Sequence, residues 1–222
     1  MAGQGLLICV AIQLEADAVN RAVASVKTAK PVRVAMVGIG ASMLPTEDEA
    51  GKFGIIVSAG LAGALDPALQ HGDVVVDAGA GLSPISWTSP VRLGGIHTSE
   101  KVVTTAKEKA ELFARTGAVA VDMESEAIRG LAGRVKVPFL AIRAISDMAD
   151  EPIDPAVLGM VDSFGRPRAG AVLTTIARRP TILRRLLKLR SNSLLAAGAL
   201  EKCVRDLIAG IQIHPGGAEN AE

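Results

Sequence analysis

The chain has 222 residues, 49% of them hydrophobic and 21% charged, with a mean hydropathy of +0.36; this suffices for one ordinary domain with a sizeable core and excludes a disordered chain. There is no Tyr, and Phe53, Phe113, Phe139, Phe164 and Trp87 are the only aromatic residues, which argues against a stacking platform for single-stranded nucleic acid. The net charge of +1 hides an asymmetry: residues 1–162 carry 14 basic and 19 acidic side chains, residues 163–222 carry 10 and 4, and eight basic residues without an acid lie between Ser163 and Leu200.

In chain order, the apolar run 6–12 predicts a buried first strand. It lacks a basic leader and ends in Gln13-Leu14-Glu15, unlike a signal peptide. A helix is expected over 15–26 and a strand over 32–37. The following Gly38-Ile39-Gly40 lacks the third glycine of a dinucleotide fingerprint, and Gly51-Lys52 lacks the flanking residues of a P-loop. Further strands are predicted at 54–57, 73–78, 118–121 and 138–145, each near-continuously apolar, as strands covered on both faces are. Helices are expected over 99–115 and 123–133, with two more after Arg166 in a basic amphipathic segment spanning about 166–212. Residues 80–97, rich in Gly, Pro and Ser, predict a long loop or an irregular strand pair. Together these elements predict a single α/β domain over 1–222.

No GxSxG elbow occurs, and His71, His97 and His214 have no ligand spacing, so neither that nucleophile nor a metal is expected. His71 reads as a turn residue. Cys9 and Cys203 lie in apolar stretches without a CxxC pattern and read as buried small hydrophobes of a reducing compartment. No run reaches the roughly 18 apolar residues of a spanning helix. A cytoplasmic protein is the expectation.

In an open α/β sheet, ligands bind beyond the carboxyl ends of the strands. Five such ends stand out: Gln13-Leu14-Glu15, Gly38-Ile39-Gly40, Ser58 through Gly63, Asp122-Met123-Glu124-Ser125, and Ser146-Asp147. Three offer a carboxylate and two offer glycine-rich backbone. That concentration of acids is the strongest sign of catalysis, although helix N-termini favour acids in any case.

Three segments in order carry a resemblance: Ile55-Ile56-Val57-Ser58-Ala59-Gly60-Leu61-Ala62-Gly63-Ala64-Leu65-Asp66-Pro67 running into Gly72-Asp73-Val74; Ala120-Val121-Asp122-Met123-Glu124-Ser125; and Ile142-Arg143-Ala144-Ile145-Ser146-Asp147. The chain resembles the superfamily of purine nucleoside phosphorylases and methylthioadenosine/S-adenosylhomocysteine nucleosidases from about residue 6 to 150. Its Arg- and Pro-rich C-terminal part, from Arg179-Pro180, is similar to the hopanoid-associated phosphorylase branch, whose members are implied to release adenine from adenosylhopane. The resemblance implies a three-layer αβα fold with a mixed, partly barrel-like central sheet. It also implies a homo-oligomer, a small-molecule nucleoside as substrate, no cofactor and no nucleic acid.

Cleaving a purine N-glycosidic bond places positive charge on the ribose and negative charge on the departing base, so carboxylates suit both ends. The resemblance makes Asp147 the acid that protonates the base, with Ser146 holding it. Glu124 would accept the ribose hydroxyls, and Met123 would pack on the sugar. Glu15 would orient the attacking water, helped by Arg143. Gly60 and Gly63 would allow close backbone approach, and Val102 stands where nucleosidases stack a Phe on adenine. Each has a structural alternative: helix caps for Asp147 and Glu124, a solvated first-turn acid for Glu15, an ion pair for Arg143, a core side chain for Met123, and turn glycines. The related hexameric phosphorylases hold phosphate with arginines and a Ser or Thr in the glycine-rich run. Here Leu61 cannot donate and Glu15 would repel phosphate, so water is favoured as nucleophile.

In the tail, Ile182, Leu183, Leu186, Leu187, Leu194 and Leu195 recur at helical spacing among Arg184, Arg185, Lys188 and Arg190. This pattern fits a core-packed helix with a basic outer face. It also fits peripheral membrane contact through residues 178–190, which a lipid-tailed nucleoside would make useful.

Overall fold

The computed structural model describes residues 5–79 and 85–210. Parts of the expected 80–97 loop and of the C-terminal segment, with His214, lie outside these residues. Eight strands form one mixed sheet: β1 (Leu6–Val10), β2 (Val32–Met36), β3 (Ile55–Ala64), β4 (Val74–Ala78), β5 (Arg92–Leu93), β6 (Ile96–Thr98), β7 (Ala120–Asp122) and β8 (Phe139–Asp147). Their order is β2-β1-β3-β8-β4-β5, and β7 pairs with both β3 and β6. β3 lies parallel between β1 and β8 and then pairs antiparallel with β7 at Gly63 and Ala64. Its register shifts at Ala62/Gly63. A bulge of this kind bends a strand, and the bend carries β7 and β6 round to give the partly barrel-like sheet.

The helices are α1 (Gln13–Ser25), α2 (Glu47–Ala50), α3 (Ala106–Thr116), α4 (Ser125–Arg134), α5 (Pro155–Leu158), α6 (Ala169–Arg178) and α7 (Ile182–Gly210). Successive β1 side chains point to opposite faces. Leu6, Ile8 and Val10 pack with Ala16 and Val19 of α1 and with Leu200, Val204 and Leu207 of α7. Leu7 and Cys9 pack with Ile128 and Leu131 of α4. Both faces are therefore apolar, which is why the run reads as continuous. Three layers result, as the family resemblance implies.

Two details differ from the sequence expectations, whereas the two helices expected after Arg166 are present. The glycine-rich run is not a loop after a short strand but the continuation of β3. The helix expected from residue 99 begins at Ala106, where Thr105 and Glu108 cap each other's backbone reciprocally. Residues 99–105 are thereby released to carry Lys101 and Val102 to the cleft described below. The tail forms α6 and one long α7, whose second half is core. Its first half leaves Leu183, Leu187, Leu194 and Leu195 between 45% and 58% exposed.

Candidate active site

A cleft of about 260 Å³ opens at the carboxyl ends of β1, β3, β7 and β8, lined by Glu15, Gly63, Val102, Met123, Glu124 and Asp147 among others. Ser146 also lines it. Gly60 and Arg143 do not; they lie behind it, around a closed space shared with Glu15 and Glu124. The fold thus gathers residues 132 positions apart in sequence (Glu15 and Asp147) around one opening.

Glu15 is 4% exposed. It sits in the first turn of α1, and its carboxylate folds back onto the backbone. Oε2 accepts from the N–H groups of Ala11 (2.8 Å) and Ile12 (3.0 Å), and Oε1 accepts from Leu61 N–H (2.7 Å). Burial pushes its pKa up to about 7, against the lowering effects of the Leu61 hydrogen bond, the Arg143 charge and the Ile12 hydrogen bond. A carboxylate titrating near neutrality in a cleft is matched to general-base work. Gly60 is required by this arrangement, since a Cβ there would lie 2.7 Å from Glu15 Oε1.

Glu124 stands at the N-cap position of α4 but makes no side-chain cap bond to the helix; its Oε1 instead accepts from Gly40 N–H at 2.8 Å. Gly38 (φ +73°) and Gly40 (φ +69°) take left-handed conformations to present that donor, which gives the Gly38-Ile39-Gly40 turn a role unrelated to dinucleotides. Burial raises the pKa of Glu124, partly offset by the Arg143 charge and the Gly40 bond. Its neighbour Met123 is half-buried at the cleft wall.

Arg143 was expected beside the attacking water. The structure gives its guanidinium other partners. Nε donates to Asp122 Oδ2 at 2.8 Å, Nη2 lies 2.6 Å from the same oxygen in an ion pair, and Nη2 donates to Ser58 Oγ (2.7 Å) and Ser125 Oγ (3.1 Å). Burial disfavours its charge, but Asp122, Glu124 and Glu15 outweigh that and raise its pKa. Asp122, although burial pushes its pKa up, is held below the usual carboxylate range by Arg143, Ser125 and Thr98. Arg143 therefore acts on the cleft by its charge from behind the two glutamates. Asp122, a strand-end acid without an assigned role in the sequence, is its anchor.

Asp147 ends β8 at 8% exposure. Ser146 Oγ donates to its Oδ1 at 2.9 Å, the support expected of that serine. Gly63 makes room for it, because a Cβ there would lie 2.8 Å from Oδ2. The partner that sequence reasoning missed is Lys109, whose Nζ donates to Asp147 Oδ2 at 2.6 Å. Lys109 looks like any basic residue of a mixed-charge helix, and no local pattern marks it. His71, expected at a turn, lies 2.6 Å from Glu151 Oε2. Burial pushes the thiols of Cys9 and Cys203 up to about 12, so both are inert as nucleophiles. No group of three or more metal-ligating side chains occurs among the described residues.

Residues 80–178 match the family model of the phosphorylase superfamily. The match spans Met123, Glu124, Arg143, Ser146 and Asp147. Solved structures agree in fold. Futalosine hydrolase of Helicobacter pylori is similar at 16% identity and a TM-score of 0.62, over 93% of this chain and 97% of that one. The methylthioadenosine/S-adenosylhomocysteine nucleosidase of H. pylori matches at 16% and 0.63 over 94% and 99%. The corresponding nucleosidase of Neisseria meningitidis, in complex with methylthio-immucillin-A, matches at 18% and 0.64 over 92% and 98%. The similarity in fold extends over 92–94% of this chain.

Proposed function

We propose that the protein is a purine nucleosidase that hydrolyses the N-glycosidic bond of a 5′-substituted adenosine and releases adenine. The observation that carries this reading is the binding of Glu15. An anionic nucleophile such as phosphate would be held at the glycine-rich strand by free hydrogen-bond donors, backbone N–H groups among them. Here the N–H groups of Leu61, Ala11 and Ile12 are all taken by the protein's own carboxylate. Water needs only a base, and Glu15 is one. Glu15 takes a proton from water as the oxygen attacks C1′. Glu124 holds the ribose hydroxyls with Met123 against the sugar, and Asp147 gives a proton to N7 as the bond to N9 breaks. Val102 contributes aliphatic rather than aromatic cover to the base. No cofactor enters these steps.

Adenosylhopane is the substrate we assign. A second cleft of about 540 Å³ meets the first at Ser146, Asp147 and Ile153, and its walls include Pro152, Pro155, Val157 and Leu189. This supports a large apolar substituent near the nucleoside. The test is chromatographic detection of adenine from adenosylhopane and from methylthioadenosine, with and without phosphate. Equal release without phosphate is expected, with adenosylhopane preferred. Release only with phosphate would make the protein a phosphorylase; silence on both would leave a nucleoside-binding protein.

The same reading extends to anionic lipid as a partner. Leu183 and Leu187 are exposed on the first half of α7 and Leu173 on α6. Arg178, Arg184 and Arg190 are exposed around them without an ion-pair partner among the described residues. Exposed apolar and cationic groups together bind anionic bilayers by burial and charge. No described helix is long and apolar enough to cross a membrane. Co-sedimentation with phosphatidylglycerol vesicles is expected, weakened at about 1 M salt and by Arg184→Glu with Arg190→Glu. Equal sedimentation with neutral vesicles would remove the charge argument.

A further inference from the structure

Among the described residues, Lys109 is the largest departure from what an amphipathic helix does. It is the one buried residue of α3 and is 0% exposed, a place where such a helix ordinarily puts Leu or Val. Burying an ammonium costs several kcal/mol unless each proton finds an acceptor. Here all three do: Asp147 Oδ2 at 2.6 Å, Met148 O at 2.6 Å and Glu151 O at 3.1 Å. The two carbonyls would suffice to anchor the turn after β8. The third bond goes to the side chain that faces the base.

We propose that Lys109 is the positioning residue of the acid Asp147, a role that rests on the nucleosidase reading above. As the C1′–N9 bond breaks, its electron pair goes to the base, and a proton that Asp147 has first taken up from the solvent in the cleft goes to N7. The carboxylate left behind carries its new charge next to the Lys109 ammonium, which stays protonated throughout. Lys109 thus favours the state reached after proton donation. With Ser146 on Oδ1 and Lys109 on Oδ2, the carboxyl is also fixed in one rotamer before substrate arrives, the preorganisation that electrostatic catalysis requires.

A turn anchor and a positioning residue predict different selectivity among leaving groups. The assay compares the adenine nucleoside with the corresponding 5′-substituted p-nitrophenyl riboside, whose nitrophenolate leaves without a proton. Lys109→Met is expected to lower kcat for the adenine nucleoside by about a hundredfold, with KM within about threefold and the nitrophenyl substrate nearly unaffected. Lys109→Ala should recover part of the loss with added ethylamine, which refills the ammonium site. Equal losses on both substrates, or no loss on either, would overturn the proposal.

A binding measurement separates this inference from the nucleosidase reading. 9-Deazaadenine carries a proton on N7 and donates it to a fixed carboxylate. Lys109→Met should weaken its binding by about tenfold or more while weakening that of 7-deazaadenine, which lacks the group, much less; tenfold corresponds to about 1.4 kcal/mol. A wild-type protein that binds 9-deazaadenine but cleaves neither riboside would overturn the nucleosidase reading alone. Unchanged 9-deazaadenine affinity in Lys109→Met would overturn the role of Lys109 whatever the catalytic result. So would wild-type protein that does not bind it.

Discussion

Glu15→Gln is expected to lower adenine release by about a thousandfold, within the range that loss of a general base produces. The substitution keeps size and shape but removes the group that takes the proton from water. The pH profile of the wild type gives an independent reading of the same residue. Burial pushes Glu15 up to about 7, so at pH 6 most of it is protonated and cannot act as a base. Activity should therefore rise with pH through about 7, with a slope of one on a logarithmic plot. The sign follows from the direction of the shift: an unshifted glutamate would already be ionised at pH 6, and the profile would be flat there. A flat profile between pH 5.5 and 8, with Glu15→Gln retaining most activity, would remove Glu15 from the mechanism. The nearby Glu124 is also raised, but its task is to accept ribose hydroxyls. Glu124→Gln should accordingly show itself more in KM than in the shape of the profile.

The residues that define this cleft differ in how far the sequence discloses them. Glu15, Glu124 and Asp147 stand where apolar runs stop, and strand ends in α/β sheets meet at one opening whatever their separation along the chain. Their convergence was therefore legible. The role of the glycines was only half legible. Gly60 and Gly63 look like turn residues, yet both lie within β3, and what each makes room for is a carboxylate of this protein. The sequence has no way to say which side chain will occupy the space a glycine leaves. The start of α3 was legible in retrospect, because Thr105 and Glu108 have capping-box spacing. Arg143 of β8 and Asp122 of β7 form a pair between strands that are not adjacent in the sheet, and a long-range ion pair leaves no local pattern. Lys109 is the extreme case. Its charge argues for solvent, and only the 2.6 Å bond to a residue 38 positions away reverses that reading.

Asp147→Asn is expected to lower adenine release at least about a hundredfold, the usual consequence of removing a general acid. The effect has to be separated from a structural one. Lys109 is fully buried, and removing the charge that faces it leaves an ammonium without its counter-ion, a loss of about 3–5 kcal/mol where such pairs have been broken. The amide can still accept a hydrogen bond from Lys109 through Oδ1, and the carbonyls of Met148 and Glu151 remain, so the loss should fall below that range and the protein should fold. Thermal unfolding checks this directly, and assays well below the midpoint keep the folded fraction near one. Under those conditions the diagnostic quantity is the ratio of losses on the two leaving groups. An acid matters when the departing base must take a proton and hardly at all when nitrophenolate departs. Asp147→Asn should therefore be nearly inactive on the adenine nucleoside and close to wild type on the nitrophenyl riboside. Combined with Lys109→Met, the second substitution should add little, because both act on one proton transfer and effects within a coupled pair are not additive. Full additivity would mean that the lysine and the aspartate contribute to the reaction separately, the aspartate at the base and the lysine only at the turn that follows β8.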